Sequence, residues 1–209
     1  IEPIILAAQV KNNFNTILDM GSGCGPISLI VAYRNPNSDV IGFEKNEIHH
    51  KISVLNIKEN NFENLKFKIH DNCIFDKNYE NYFDLILSNP PFFFKDKVLK
   101  SNNISINNSK YISELDLEKW LHNAIFYLKA KGTAFIINRF ENIDFMLEIL
   151  KKFNLEVTTT PILSFKGSKP KNVLLKITKS DYFIEKTSNA IIIHDKLSKY
   201  SKDIVNWFK

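Results

Sequence analysis

The chain has 209 residues, of which 44% are hydrophobic and 24% are charged. These proportions are typical of one folded domain and exclude an intrinsically disordered chain. No apolar run approaches the roughly 20 residues of a membrane-spanning helix. Two cysteines, Cys24 and Cys73, are too few for a disulfide framework or a zinc site. We therefore expect a single domain over residues 1–209 in the cytoplasm, with no membrane segment and no metal.

The net charge of +5 comes mainly from lysine. Lysine carries a mobile point charge that suits contact with a phosphate backbone better than the reading of individual bases. An AT-rich genome would also enrich lysine. The charge alone therefore does not decide whether a nucleic acid is bound.

Short apolar runs alternate with segments of helical periodicity along the chain. The predicted strands cover residues 15–20, 40–44, 65–70, 82–87, 133–138, 155–165 and 172–178. The predicted helices cover residues 26–33, 47–60, 115–132 and 145–153, and residues 95–110 form a polar loop. Trp120 lies on the third helix and is expected in the core. This order predicts an α/β fold with a doubly wound, Rossmann-like, seven-stranded sheet, mostly parallel with an antiparallel edge hairpin.

A glycine turn follows the first predicted strand. Gly21, Gly23 and Gly25 are two residues apart, and Pro26 occupies a favourable first position of the next helix. A dinucleotide-binding turn would instead place its third glycine at position 26. With Asp19 two residues ahead, the pattern is that of an S-adenosylmethionine turn, in which backbone approaches the amino-acid part of the ligand. A plain glycine-rich turn is the alternative.

Acidic residues end the next two predicted strands. Glu44 lies 19 residues after Gly25, a spacing at which a carboxylate binds a ribose diol. Asp71 follows the third strand, with Asn72 beside it, and is placed to accept a hydrogen bond from an adenine amine. An exposed loop acid is the alternative for both carboxylates. We predict Glu44, Asp71 and Asn72 as cofactor ligands.

The fourth strand ends in the motif Asn89-Pro90-Pro91-Phe92. Proline fixes φ and lacks an N–H group, so this turn is stiff. The Asn89 side-chain oxygen and the Pro90 carbonyl can accept both N–H bonds of a planar amine, which aims the nitrogen lone pair at a sulfonium methyl. Phe92 would stack on the ring, and Asn89 would also contact the cofactor. A turn that merely ends a strand is the alternative.

These residues resemble those of class I S-adenosylmethionine-dependent methyltransferases with the N-P-P-[YF] signature. Such enzymes methylate adenine N6 in DNA or RNA, guanine N2 in ribosomal RNA, or glutamine in release factors. Residues 1–8, 172–175 and 191–208 look like those of bacterial tRNA adenine-N6 methyltransferases, which modify the adenosine next to the anticodon of valine tRNA. The chain departs from that family at Ile1-Glu2, where Thr-Asp is usual, and at Phe92 in place of tyrosine. We also expect a segment before Ile1, which in the family helps to close the cofactor site.

The resemblance implies a monomeric tRNA adenine-N6 methyltransferase that uses S-adenosylmethionine and releases S-adenosylhomocysteine. It also implies that the loop at 95–110 and the basic turn at 166–171 hold the RNA backbone. Three alternatives are guanine-N2 methylation of ribosomal RNA, glutamine methylation of a release factor, and a non-catalytic RNA-binding protein on the same scaffold. The predicted RNA-binding residues are Lys95, Lys97, Lys110, Lys166, Lys169 and Lys171.

Overall fold

A large mixed sheet with helices on both faces forms the centre of the molecule. The structure is a computed structural model that describes residues 1–11, 14–94, 111–196 and 199–208. The strands are β1 (Thr16–Met20), β2 (Asp39–Glu44), β3 (Leu65–Ile69), β4 (Phe83–Ser88), β5 (Phe93–Phe94), β6 (Tyr111–Ile112), β7 (Leu128–Arg139), β8 (Leu155–Phe165), β9 (Asn172–Lys179), β10 (Ile184–Thr187), β11 (Ile191–Lys196) and β12 (Lys199–Tyr200). The helices are α1 (Glu2–Ala7), α2 (Pro26–Arg34), α3 (Glu47–Asn60), α4 (Glu114–Tyr127), α5 (Ile143–Leu150) and α6 (Lys202–Trp207).

Three of the helices, α3, α4 and α6, begin at a residue whose side chain accepts hydrogen bonds from their first N–H groups. The Asn46 side chain accepts hydrogen bonds from two backbone N–H groups at the start of α3. The Ser113 hydroxyl accepts one from Asp116 N at the start of α4. Such caps stabilise a helix by about 1 kcal/mol each. Among the residues that the structure describes, no helix is long and apolar enough to cross a membrane.

The strand order is β12-β11-β8-β9-β7-β4-β1-β2-β3, with β10 also paired to β8. Strands β1 to β4 and β7 are parallel, and β9 runs antiparallel between β7 and β8. The predicted α/β fold, with a mostly parallel sheet and an antiparallel hairpin, is confirmed. The seven predicted strands are β1 to β4 and β7 to β9, and residues 184–200 add three short strands beyond them. These strands cover backbone groups of β8 that would otherwise be exposed at the sheet edge.

The third predicted helix ends earlier than the sequence indicated. Helix α4 stops at Tyr127, and β7 begins at Leu128 instead of at Thr133. Leu128 pairs with Phe83, and the register then shifts so that Thr133 pairs with Leu85. The shift accommodates extra residues in β7 as a bulge, which a helical period cannot reveal. The polar loop predicted at 95–110 lies outside the described residues.

Alternating side chains of the strands form one hydrophobic cluster on each face of the sheet. Leu18 and Met20 of β1 belong to the cluster under α4 and α5, whereas Ile17 belongs to the cluster under α1, α2 and α6. This alternation is the two-residue period of a strand that is buried on both faces. All three side chains are fully buried. The close packing holds the end of β1 in place.

The parallel pairing brings several strand ends to one edge of the sheet, which we refer to as the carboxyl edge. Met20 pairs with both Phe43 and Ser88, so the turns after β1, β2 and β4 leave the sheet side by side. Strand β9 starts level with the end of β7, which places the turn at 166–171 on the same edge. Open α/β sheets bind ligands at this edge.

Candidate functional site

A cavity of about 600 Å³ opens at the carboxyl edge, beside the turns that follow β1, β2 and β4. This volume lies in the range that small molecules and cofactors occupy in proteins. The cavity is lined by Gly21, Gly23, Cys24, Glu44, Lys45, Asn46, Glu47, Ile48, His49, Asn72, Asn89, Pro91 and Trp120.

The glycine turn is tied to β2 by three hydrogen bonds. The N–H groups of Gly21 and Ser22 both donate to the Phe43 carbonyl, at 3.0 and 2.9 Å. The Gly23 N–H donates to Glu44 Oε2 at 2.8 Å. Because these bonds join the glycine turn to the end of β2, the backbone of the glycine turn is fixed along one wall of the cavity.

Glu44 lies at the end of β2 and is nearly buried. Its second oxygen, Oε1, accepts a hydrogen bond from Asn46 N at 2.7 Å. A carboxylate has about four acceptor positions, so about two are left beyond these bonds. The Glu44 side chain is therefore held rigidly and can still accept hydrogen bonds from a pair of hydroxyl groups in the cavity.

Asp19 does not line the cavity but lies fully buried beneath the glycine turn. Its Oδ2 accepts hydrogen bonds from Ser28 N and Ser28 Oγ, at 3.0 and 2.6 Å, and so fixes the start of α2. Burial raises the pKa of the Asp19 carboxyl from 3.8 to about 7, although the hydrogen bonds from Ser28 lower it. The structure thus gives Asp19 a part in holding the turn, and direct contact with a cofactor stays a prediction.

We expect Asp19 to make stability depend on pH. The folded carboxyl binds its proton more tightly than the unfolded one, so the free energy of unfolding should fall as pH rises from about 4 to about 7, by at most about 4 kcal/mol. Asp19→Asn should lack this slope. Urea unfolding at a series of pH values measures the difference, with Asp39→Asn, an exposed acid, as the control. Parallel pH profiles for wild type and Asp19→Asn would contradict the assignment.

Two asparagine side chains in the cavity have oxygen atoms without partners. Asn72 Oδ1 and Asn89 Oδ1 are buried, and neither has a hydrogen-bond partner among the described residues. The backbone around Asn72 is held from behind, because Asn123 Nδ2 donates to the Asn72 carbonyl at 2.8 Å. An unpaired buried acceptor costs about 1–3 kcal/mol, which a ligand that donates a hydrogen bond can recover. Both residues line the cavity, so each oxygen is a candidate acceptor for an N–H group of a ligand.

A buried hydrogen-bond relay connects the turn after β1 with the turn after β4. Trp120 Nε1 donates to Ser88 Oγ at 3.0 Å, and Ser88 Oγ donates to the Met20 carbonyl at 2.7 Å. The indole ring of Trp120 also packs against Gly21. Gly21 and Asn89 directly follow Met20 and Ser88, so the relay fixes the two turns relative to each other.

Within the motif at residues 89–92, some residues line the cavity and others pack against the core. Asn89 and Pro91 line the cavity, and Pro90 is buried. The Phe92 side chain is half-buried against the cluster under α1 and α2 and does not line the cavity. Its carbonyl accepts a hydrogen bond from Asn142 Nδ2 at 3.0 Å. The structure thus brings Asn89 to the cavity, and the stacking role of Phe92 stays a prediction.

The structure brings most of the predicted cofactor ligands together. Asp71 lies outside the cavity lining and forms an ion pair with Lys45, at 3.7 Å. Gly25 also lies outside the lining and precedes α2. The predicted ligands that line the cavity are Gly21, Gly23, Glu44, Asn72 and Asn89.

The predicted RNA-binding lysines divide into two groups. Lys95, Lys97 and Lys110 lie outside the described residues. The other three, Lys166, Lys169 and Lys171, are exposed in the turn between β8 and β9 at the carboxyl edge.

Trp120 is the main cavity residue that the sequence did not reveal. It was expected in the core, and it is 6% exposed there, but its ring also reaches the cavity beside Gly21. Helical periodicity indicates which face of α4 is buried but does not show that a long side chain extends past the sheet. Lys45 and Asn46 were also missed, although they directly follow the predicted ligand Glu44.

The cavity presents a carboxylate, a glycine turn and two amide oxygens. Within the described ranges, no group of three or more His, Cys, Asp or Glu residues could hold a metal ion. Such a cavity can bind a ligand through hydrogen bonds to hydroxyl and amine groups, and it places one free amide oxygen, from Asn89, beside a stiff turn.

The sequence is similar to those of known methyltransferases. Residues 4–159 match the family model described as methyltransferase small domain. The chain is 28% identical over 199 residues to a tRNA1(Val) (adenine(37)-N6)-methyltransferase of Aliivibrio salmonicida, which covers 95% of this chain and 82% of that protein. It is 31% identical over 155 residues to a release factor glutamine methyltransferase of Buchnera aphidicola, which covers 70% of this chain and 54% of that protein. The chain therefore spans about half of the second relative and most of the first.

Among solved structures, a protein from Agrobacterium tumefaciens described as a predicted O-methyltransferase has a similar fold. It superposes with a TM-score of 0.78 over 99% of this chain and 95% of that chain, at 16% sequence identity. At this identity the likeness concerns the fold alone.

Proposed function

We propose that this chain, which belongs to the methyltransferase small domain family, transfers a methyl group from S-adenosylmethionine to the N6 amine of an adenosine in tRNA. One observation carries the proposal. Asn89 Oδ1, a buried acceptor without a partner among the described residues, lies in the same cavity as the glycine turn and Glu44. A free acceptor next to a cofactor site is what an amine substrate requires, because both of its N–H groups need partners.

The residues of the cavity suit S-adenosylmethionine. The backbone of Gly21 and Gly23 would contact its amino-acid part, and the open acceptor positions of Glu44 would receive the ribose hydroxyls. The unpartnered Oδ1 of Asn72 would accept a hydrogen bond from the adenine amine. When bound, the cofactor supplies an electrophilic methyl group on a positively charged sulfur.

The acceptor amine would be positioned by the motif. Asn89 Oδ1 and the Pro90 carbonyl would each accept one N–H bond, which directs the nitrogen lone pair along the line of transfer. Phe92 would contact the plane of the base. Catalysis would consist mainly of orientation and of preorganised dipoles. The Asn89 amide is neutral and no strong base, so the proton would pass to water after transfer.

The choice of tRNA as substrate is supported by the extent of the similarity. Alignment to the tRNA-modifying relative runs over 95% of this chain, whereas alignment to the release factor enzyme covers 70%. The exposed lysines of the turn at 166–171 add positive charge at the carboxyl edge. We propose a monomer that acts in the cytoplasm, where tRNA is modified.

Mass spectrometry of nucleosides tests the proposal. We expect tRNA incubated with the protein and isotope-labelled S-adenosylmethionine to yield labelled N6-methyladenosine. Labelled N2-methylguanosine in ribosomal RNA, or labelled glutamine in a release factor, would overturn the choice of acceptor. Calorimetry with S-adenosylhomocysteine provides the control, since a non-catalytic RNA-binding scaffold would fail to bind it.

A further inference from the structure

Four aromatic rings follow one another along the outer part of the sheet. The ring centroids of Phe165 and His194 are 5.3 Å apart, those of His194 and Tyr200 are 5.2 Å apart, and those of Tyr200 and Phe208 are 5.4 Å apart. The middle pair is stacked, with 15° between the ring planes. We refer to these four residues as the aromatic ladder.

The ladder is open to solvent, unlike the core rings. Phe165 is 44% exposed, Tyr200 is 45% exposed and Phe208 is 51% exposed. Phe165 and Phe208 lie at the two ends, and each contacts only one other ring among the described residues. Each end ring therefore has aromatic surface that no neighbouring ring covers.

The Phe165 end of the ladder lies at the carboxyl edge, as the candidate site does, whereas the Phe208 end lies beside Arg34 at the end of α2. Phe165 ends β8, which is three strands away from β4, or about 14 Å at the usual strand spacing. The register places Ser88 level with Thr159, so Phe165 lies six residues further along β8, or about 20 Å. A ligand that inserts one group beside Asn89 must therefore extend about 25 Å to reach the ladder, about seven stacked nucleotides.

Lysines without ion pairs surround the ladder. Two acids, Asp195 and Asp203, are also exposed at this end of the sheet, so the local excess of charge is positive. None of the lysines concerned forms an ion pair among the described residues. They are Lys166, Lys169, Lys171, Lys199 and Lys202, all exposed.

We propose that the aromatic ladder is an RNA-binding surface on which unpaired bases several nucleotides away from the target adenosine stack, while the neighbouring lysines contact phosphates. The inference rests on the proposed function. Stacking of a base on an exposed ring tolerates any sequence, and flanking cations hold the backbone, the combination found in proteins that bind single-stranded nucleic acids. A protein partner is less consistent with this surface, since unpaired lysines are depleted from protein interfaces.

Replacement of the two end rings tests the proposal. Phe165→Leu/Phe208→Leu keeps apolar volume but removes both rings, so the Kd for a tRNA transcript should rise by about tenfold or more. The slope of log Kd against log salt should stay unchanged, because no charge is lost. Lys166→Ala/Lys169→Ala/Lys171→Ala should instead lower that slope, by about 0.7 for each phosphate contact removed.

Tyr182→Leu is the matched control. Tyr182 is 66% exposed but follows β9, at the opposite edge of the sheet, so its loss should leave the Kd for tRNA unchanged. Calorimetric binding of S-adenosylhomocysteine should be the same in all variants, which shows that the cofactor site is intact.

The outcomes separate the two proposals. Wild-type protein that methylates tRNA, together with ring variants that bind tRNA as wild type does, would overturn the ladder and leave the proposed function standing. Equal weakening by Tyr182→Leu would also overturn it. Wild-type protein that methylates no tRNA would overturn the proposed function instead. Binding of a purified release factor that depends on Phe165 and Phe208 would identify the surface as a protein contact and so overturn the RNA assignment.

Discussion

Asn89→Ala should lower the rate of methyl transfer by about 10²- to 10³-fold, the usual cost of removing one positioned dipole from a reacting centre. The amide oxygen is buried in the cavity without a partner among the described residues, so nothing else replaces its contact with the amine. Binding of S-adenosylhomocysteine should change little, because the glycine turn and Glu44 keep their hydrogen bonds. Single-turnover transfer to tRNA and calorimetry measure the two quantities.

Asn72→Ala is the matched control for this experiment. Asn72 also has an unpartnered buried Oδ1 in the cavity, and its backbone stays fixed by Asn123. We expect the opposite result, with an affinity for S-adenosylhomocysteine about tenfold weaker and a rate of transfer close to wild type at saturating cofactor. Normal transfer by Asn89→Ala would exclude the proposed role of Asn89. Equal effects of both changes would show that the two amides do not have separate roles.

Gly21→Ala should strongly weaken cofactor binding and destabilise the fold. Gly21 has a φ of +85°, and a Cβ there would lie 2.7 Å from Cζ2 and Cη2 of Trp120. The left-handed backbone costs an alanine about 1–2 kcal/mol, and overpacking adds about 1–3 kcal/mol. The free energy of unfolding and the Kd for S-adenosylhomocysteine measure these effects.

Gly23→Ala separates backbone strain from steric overlap. Gly23 has a φ of +56°, but a Cβ there would meet no atom within 4 Å. We therefore expect Gly23→Ala to lower the free energy of unfolding only by the cost of the left-handed backbone, about 1–2 kcal/mol. Combining Gly21→Ala with Trp120→Phe removes the two clashing carbons and should regain part of the lost affinity. A Gly21 variant no weaker than the Gly23 variant would show that the indole ring does not pack on the turn.

The sequence was most informative where function depends on strand ends. Parallel strands deliver their carboxyl ends to one edge, so residues that follow apolar runs, such as Gly21, Glu44 and Asn89, could be placed together before the fold was known. All three line the cavity. Chemical type and spacing along the chain were sufficient because the sheet itself supplies the geometry.

The sequence was least informative where the position of a residue depends on how deeply its side chain is buried or on pairing between short strands. Asp19 is two residues from Gly21, and only the fold shows that the carboxylate lies beneath the turn and bonds Ser28. Trp120 shares its helical period with true core residues, so its reach into the cavity was hidden. The short strands β10 to β12 have little pattern of their own and are fixed by pairing with β8 and with each other.

The relay from Trp120 through Ser88 to Met20 fixes the distance between the turn after β1 and the turn after β4 before any substrate binds. The arrangement of these two turns does not depend on whether the amine belongs to a nucleic acid or to a protein. Evolution could then redirect such an enzyme from a nucleic acid to a protein by exchanging peripheral segments alone. On that view, the segments at the rim of the sheet, and not its middle, would decide which substrate is bound.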